Sequence, residues 1–105
     1  MFAYTVRCTF DDPALRDEWV AWIAGGHAQD VIDAGALSAD VVVLDGAPAA
    51  AEVRYRFSDR AAFDAYERDH APRLREDGLA RFPLERGLRY ERSTGELRRA
   101  ATGSA

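Results

Sequence analysis

The alternation of apolar and polar residues near the N-terminus constrains the fold of this chain more than any other feature. Every even position there carries an apolar side chain: Phe2, Tyr4, Val6, Cys8 and Phe10. The odd positions carry smaller or polar ones: Ala3, Thr5, Arg7 and Thr9. A period of two is typical of a β-strand with one face in a core. Such a strand needs partner strands and a covering layer, so we expect a sheet packed on one side.

A helix is expected directly after this strand. Asp12 is a residue type preferred at an N-cap, and Pro13 fits the first helical position, where its missing N–H is not needed. Apolar side chains then recur at helical spacing: Leu15, Trp19, Trp22 and Ile23. The pair Gly25-Gly26 is expected to weaken or break this helix. Two further turns are expected over residues 27–34, with Gly35 as the cap beyond them.

The middle of the chain predicts a hairpin of two strands. Residues 37–44 are rich in valine, and the turn-forming segment Asp45-Gly46-Ala47-Pro48 follows them. Beyond the turn, apolar residues alternate with charged ones, as in Val53, Tyr55 and Phe57 against Glu52, Arg54 and Arg56. This alternation favours a third strand with one buried face.

A second helical region and a fourth strand complete the predicted elements. Ser58 is the expected cap of a helix that carries Phe63 and Tyr66. Pro72 is expected to end or kink that helix, and a short helix bearing Leu74, Leu79 and Phe82 is expected to follow. The last strand is expected over residues 87–93, with Leu88, Tyr90 and Arg92 on one face.

The order strand, helix, strand, strand, helix, strand predicts an α+β fold. With right-handed crossovers it is the ferredoxin-like βαββαβ sandwich, a four-stranded antiparallel sheet with its helices on one face. The 105 residues allow one domain of ordinary size. We expect that domain to span residues 1–93, and we expect residues 94–105 to form a flexible C-terminal tail.

Charge and composition exclude several classes of protein. The chain carries a net charge of −4, which disfavours nucleic acid as a partner. Its apolar runs are far shorter than the roughly 20 residues that span a bilayer, and its start lacks the pattern of a signal peptide, so we expect a cytoplasmic protein that does not enter a membrane. All 14 basic residues are arginine, there is no Lys or Asn, and Cys8 is the single cysteine. Schiff-base lysine chemistry and an internal disulfide are therefore excluded.

Three segments resemble a family of small bacterial proteins known only as a domain of unknown function. They are Trp19-Val20-Ala21-Trp22 with His27 five residues later, His70-Ala71-Pro72-Arg73-Leu74-Arg75, and Gly78-Leu79-Ala80-Arg81-Phe82. The resemblance covers residues 2–93. It departs from the family at Gly25-Gly26, where a continuous helix is expected, and this departure leaves the direction of His27 open.

This family belongs to the dimeric α+β barrel superfamily, and the resemblance implies its general architecture. Relatives are homodimers whose sheets pack face to face, with a pocket between each sheet and its own helices. They include cofactor-independent monooxygenases acting on polyketide-like aromatics, haem-degrading or haem-binding proteins, cyclases, isomerases and mutarotases. Fold alone does not select one of these activities. No cofactor is predicted, and haem is not supported by a motif because a chain without Asn lacks the Asn-Trp-His arrangement of the haem-degrading relatives.

His27 is the main candidate for catalysis. An imidazole that follows the tryptophan-rich helix is suited to act as a general base or to bind haem iron. The structural alternative is a partly exposed histidine favoured by the dipole at a helix end. His70 ends the stretch Glu67-Arg68-Asp69-His70, half of a carboxylate di-metal motif whose other half is missing, and is expected to be a capping or surface residue. We expect the two histidines at opposite edges of the sheet and no metal site.

Aromatic residues on the predicted helix-facing side of the sheet are the candidates for ligand binding. They are Tyr4, Tyr55 and Tyr90, to which the first helix adds Trp22. Together they either line a pocket for an aromatic ligand or form a packed core whose hydroxyls reach water. Arg92 shares the face of Tyr90, so it emerges at the sheet edge or binds an acidic ligand. Cys8 is expected to be a small core residue.

Two functions follow from this pattern. In the first, a homodimer binds a small aromatic or carbonyl compound between sheet and helices, with His27 as general base and Tyr4 or Tyr55 donating a hydrogen bond to a developing oxyanion. The reaction would be that of a cofactor-independent monooxygenase, cyclase or isomerase. In the second, the chain is a non-catalytic dimerisation or regulatory binding module with a filled core. A cavity of about 300 Å³ or more beside the tyrosines favours the first.

Overall fold

A computed structural model describes residues 1–104 and contains the predicted four-stranded antiparallel sheet. Its strands are β1 (Phe2–Phe10), β2 (Ser38–Leu44), β3 (Ala49–Phe57) and β4 (Leu88–Glu96). They are arranged in the order β2-β3-β1-β4, so the N-terminal strand lies at the centre of the sheet. All three strand pairs are antiparallel. The predicted ferredoxin-like fold is confirmed.

Each predicted helical region is divided into two helices. The first consists of α1 (Pro13–Trp22), a π-helical turn (Ile23–His27) and α2 (Ala28–Asp33). The second consists of α3 (Arg60–Asp69) and α4 (Ala71–Arg81), and a short 3-10 turn at Leu84–Arg86 follows. The interruption expected at Gly25-Gly26 takes the form of the π-helical turn, and the break expected at Pro72 falls at His70. No helix within residues 1–104 is long and apolar enough to cross a lipid bilayer.

Side-chain caps define where two of the helices begin. The Asp12 carboxylate accepts a hydrogen bond of 2.8 Å from the backbone N–H of Ala14, as predicted. The cap predicted at Ser58 is wrong, because the helix begins one residue later. Asp59 is the N-cap of α3, and its carboxylate accepts from the N–H of Ala62 at 2.8 Å. Aspartate competes well for this position because it offers a charged acceptor to the free amides of the first turn.

Strand β4 extends further than its sequence pattern indicates. It was expected to end at residue 93, but it pairs with β1 as far as the partners Phe2 and Glu96. The N–H of Leu97 then donates to the carbonyl of Met1 at 2.7 Å. Residues 94–96 therefore belong to the sheet and not to the C-terminal tail, whereas residues 97–104 form neither helix nor strand. These small and polar residues do not predict a strand, but the backbone of the central strand β1 pairs with them.

The two faces of the sheet have different surroundings. On the helix-facing side, four of the five even positions of β1 are at most 3% exposed, the exception being Val6. The outer face carries charged side chains, as the alternation predicts. There the Glu52 carboxylate accepts from Arg7 on the neighbouring strand at 3.3 Å and from Arg54 at 2.9 Å. The apolar core and any cavity within it therefore lie between the sheet and the helices.

Candidate functional site

A cavity of about 450 Å³ lies between the helix-facing side of the sheet and the helices. The strands contribute Tyr4, Tyr55, Tyr90 and Arg92, and the helical regions contribute Trp22, His27, Tyr66 and Arg75. All six residues predicted for the site, the general base, the two hydroxyl donors and the three binding residues, thus line one space. The filled core expected of a purely structural module is not present.

His27 lies at the end of the π-helical turn, which directs its imidazole toward the cavity wall. The ring stacks on the Trp22 indole, with 4.2 Å between centroids and 23° between planes. Burial lowers the pKa of His27 below its ordinary value of 6.5, and the nearby carboxylates of Asp30 and Asp77 oppose that shift. The imidazole is therefore neutral at pH 7 and has a free nitrogen lone pair, as a general base requires.

His27 and Trp22 also line a second depression on the outside of the protein. Its other lining residues are Gly25, Gly26, Asp30 and Asp77. The stacked pair therefore separates the cavity from a surface that carries two carboxylates.

The tyrosines of the cavity supply hydroxyl groups, and burial favours the protonated form of two of them, Tyr55 and Tyr66. Tyr4 and Tyr55 lie on neighbouring strands with their rings stacked, 5.8 Å between centroids, and each is 3% exposed. Burial raises the pKa of Tyr55 above its ordinary value, and it raises that of Tyr66 to about 12. Protonated phenols are hydrogen-bond donors, so these groups are suited to an oxygen atom that gains negative charge.

Tyr90 and Arg92 form the part of the wall contributed by β4. The Trp19 indole N–H donates to the Tyr90 hydroxyl at 3.2 Å, and burial raises the pKa of that hydroxyl. The Arg92 guanidinium lies over the Tyr90 ring, 5.2 Å from its centroid. Arg92 is exposed at the sheet edge and also lines the cavity. A position at the sheet edge is therefore compatible with contact to a ligand in the cavity.

Arg75 is a cavity residue that the sequence analysis missed. Its Nη2 donates to the Glu67 carboxylate at 2.7 Å and to the Tyr4 hydroxyl at 3.3 Å. The signal that identifies it is the spacing of Ala71, Leu74, Arg75 and Gly78, which is the i, i+3, i+4, i+7 pattern of a single helix face. The other three residues of this pattern are buried, so Arg75 lies on the inward side of α4.

The remaining candidates lie outside this cavity. His70 borders a surface depression with Asp30, Asp33 and Asp77, and Arg73 lies 3.4 Å from its Nδ1. The expected placement of the two histidines at opposite edges is wrong, because each borders a surface depression that also includes Asp30 and Asp77. Within residues 1–104, no three His, Cys, Asp or Glu side chains are grouped as a metal site.

Cys8 behaves as the core residue that was expected. It is completely buried, and burial raises the pKa of its thiol to about 12. A thiol in this state is protonated at neutral pH and is a poor nucleophile. Cys8 therefore contributes packing and no chemistry to the site.

The fold and cavity define a ferredoxin-like α+β protein with a ligand-sized space under its helices. The chain belongs to the family described as "Domain of unknown function (DUF4286)", whose model matches residues 1–87. This confirms the expected membership of a family without an assigned activity. No curated protein matches the sequence.

Solved structures with low sequence identity share this fold. A monooxygenase from the gene ActVA-Orf6 of Streptomyces coelicolor, in complex with nanaomycin D, is 22% identical; 98% of this chain and 92% of that chain are covered, with a TM-score of 0.74. A dimeric ferredoxin-like protein from an uncultured marine organism is 8% identical over all of both chains, with a TM-score of 0.72. SnoaB, a cofactor-independent oxygenase from Streptomyces nogalater, is 16% identical over 94% of each chain, with a TM-score of 0.62. These similarities support the fold.

Proposed function

We propose that this protein binds a small aromatic or carbonyl compound in the cavity and removes a proton from it with His27. The observation that carries the proposal is the 450 Å³ cavity with an aromatic lining and a half-buried imidazole in its wall. Small-molecule sites in proteins have volumes of about 300–1,000 Å³ and combine apolar walls with a few polar groups. A planar ligand fits such a space because the tyrosine and tryptophan rings offer it stacking partners.

Proton removal by His27 is a first step that several reactions share. It converts a phenol to a phenolate, or the carbon next to a carbonyl group to an enolate. The hydroxyl of Tyr4 or Tyr55 then donates a hydrogen bond to the negatively charged oxygen. Isomerisation, cyclisation and reaction with dioxygen can each start from such an anion, and proton removal itself uses only protein groups.

Two of the structurally similar proteins support chemistry of this kind. The Streptomyces coelicolor protein is a monooxygenase with nanaomycin D bound, and SnoaB is a cofactor-independent oxygenase. The similarity extends to the fold, and the proposal takes from it the reaction class of a cofactor-independent monooxygenase, with cyclase and isomerase activity as the alternatives. The particular base and donors come from this chain's own cavity.

A cytoplasmic homodimer is part of the same proposal. One structurally similar protein is a dimeric ferredoxin-like protein. In this chain the outer face of the sheet is the surface available for a second copy, because the helices cover the other face. The ion pairs of Glu52 with Arg7 and Arg54 lower the cost of covering these charges, since each retains a partner.

The proposal is tested with two probes. Binding of 1-naphthol is followed by quenching of tryptophan fluorescence, since Trp19 and Trp22 both line the cavity. Proton removal is followed with 5-nitrobenzisoxazole, whose ring opens to a coloured phenolate when a base takes its carbon-bound proton. We expect saturable binding of 1-naphthol. We also expect His27→Gln to slow ring opening by about 100-fold or more while naphthol binding and the melting temperature stay close to wild type.

His70→Gln is the matched control, because His70 lies outside the cavity, and it should leave ring opening unchanged. If 1-naphthol does not bind, the cavity is not a ligand site. If naphthol binds and His27→Gln retains the wild-type rate, the protein is a binding module without this base. If His27→Gln fails to fold, the histidine is structural.

A further inference from the structure

We propose that the natural ligand of the cavity is an aromatic carboxylate whose acidic group is bound by Arg75 and the Tyr4 hydroxyl. This inference rests on the proposed function, because it specifies which aromatic compounds the cavity accepts. Three features of the cavity carry it: the kind of charged residue in its lining, the state of the Arg75 guanidinium and the hydroxyl beside it.

The charged residues that line the cavity differ in kind from those of the whole chain. The sequence has 18 acidic and 14 basic residues, with a net charge of −4. The cavity lining nevertheless includes Arg75, Arg89 and Arg92 and, among the described residues, no aspartate or glutamate. Arg75 and Arg89 pair with carboxylates just outside the lining, those of Glu67 and Asp11. Arg75 is the less exposed of these two paired arginines, with 36% of its side chain exposed against 62% for Arg89, so water screens its charge less.

The Arg75 guanidinium is held in place through one nitrogen, and a buried donor on it is unused. Its Nη2 is held by the Glu67 carboxylate at 2.7 Å. Its Nε is buried and has no hydrogen-bond partner among the described residues. An unsatisfied buried donor is destabilising, and it is costlier still in a charged group. A carboxylate oxygen from a ligand supplies a further acceptor to a guanidinium that has more donors than partners.

The Tyr4 hydroxyl adds a second donor at the same place. Its oxygen accepts from Arg75 Nη2 at 3.3 Å, so its own proton is free for another acceptor. Tyr4 also stacks with Tyr55 and lies 6.3 Å, centroid to centroid, from the tilted ring of Tyr66. The acidic group and the aromatic ring of one ligand therefore find their partners at the same end of the cavity.

The test compares 2-naphthoate with 2-naphthamide, which has nearly the same shape and no charge. Each is titrated into the full-length protein at pH 7.5 and followed by tryptophan fluorescence. Wild-type protein should bind the carboxylate about tenfold or more tightly than the amide. Arg75→Met retains the length of the side chain but not its charge. It should weaken naphthoate binding by about tenfold or more, abolish the preference and leave naphthamide binding unchanged.

Two more variants complete the test. Arg73→Met removes an exposed charge from the same helix outside the cavity and should retain the preference. Arg75→Lys retains the charge but loses the planar guanidinium with its Nε, so it should bind naphthoate several-fold more weakly than wild type. This variant replaces Arg75→Met in the test if Arg75→Met does not fold. Equal wild-type affinities for both probes, or a preference that survives at full size in Arg75→Met and Arg75→Lys, would overturn the inference while the proposed aromatic site stands. Failure of both probes to bind overturns the proposed function as well.

Discussion

The half-buried imidazole of His27 makes the stability of the folded protein depend on pH, and this dependence is measurable without a substrate. In the unfolded chain its imidazole titrates near the ordinary value of 6.5, whereas burial lowers the pKa in the folded protein. Below pH 6.5 the unfolded state therefore binds more protons at this residue than the folded state. The contribution to stability is fully present above pH 6.5 and is lost as the pH falls through the lower, folded pKa.

We expect the free energy of unfolding of wild type to fall more than that of His27→Gln when the pH is lowered from 7.5 to 5.5. Urea unfolding at a series of pH values, followed by circular dichroism, measures this difference directly. Both proteins share the titration of their carboxylates, so the difference isolates His27. Parallel curves for the two proteins would show that the imidazole is not buried as described.

At the residue scale, the alternation of apolar and polar residues predicts the direction of a strand side chain better than helical spacing predicts that of a helix side chain. Tyr4, Tyr55 and Tyr90 are on the predicted face because a strand offers each side chain only two directions. Arg75 was missed because a charged helix residue is normally solvated, and one charged residue beside a buried face gives little sign of a cavity. Its role depends on Glu67 and on Tyr4 in a distant strand, contacts that local sequence does not encode.

Gly78 connects helix α4 to the shape of the cavity. It is buried in the middle of the helix, and a Cβ added there would lie 3.5 Å from the Trp22 ring, an ordinary contact distance. Glycine within a helix costs about 0.5–1 kcal/mol relative to alanine. We therefore expect Gly78→Ala to raise the free energy of unfolding by about this amount, as measured by urea titration.

A larger residue at the same position provides the comparison. Gly78→Leu extends several atoms toward Trp22 and into the cavity, so it should block binding of 2-naphthamide, whereas Gly78→Ala should retain it. Destabilisation by the single methyl group of alanine would mean that α4 packs against Trp22 more tightly than the structure shows.

At the scale of elements, the sequence predicts the position of a helix break better than the backbone conformation at that break. The glycine pair at positions 25 and 26 and Pro72 both indicate breaks, and breaks occur near both. The π-helical turn at the first break was not predictable, because it depends on which carbonyl each amide selects, yet it decides where His27 points. The end of β4 was misjudged for a related reason, since pairing with β1 continues regardless of the small side chains of residues 93–95.

At the scale of the whole molecule, the two faces of the sheet suit the two parts of the proposed function, a ligand on one side and a second copy of the chain on the other. The helix-facing side encloses the cavity, and the outer side carries charges that pair across strands. Glu52 is central there, since it pairs with two arginines and its side chain is only 14% exposed. A face of this kind is stable in water and also suits self-association, because charges that already have partners lose less on desolvation than isolated ones.

Glu52→Arg tests this proposed interface. The substitution places three guanidinium groups side by side, and in a dimer related by symmetry it brings two such clusters together. We expect sedimentation equilibrium to give twice the mass of the chain for wild type, and we expect Glu52→Arg to weaken association by about tenfold or more. Glu76→Arg, on the exposed side of α4, makes the same change of charge and should leave the dimer intact. A monomeric wild type, or a dimer insensitive to Glu52→Arg, would place the interface elsewhere or remove it.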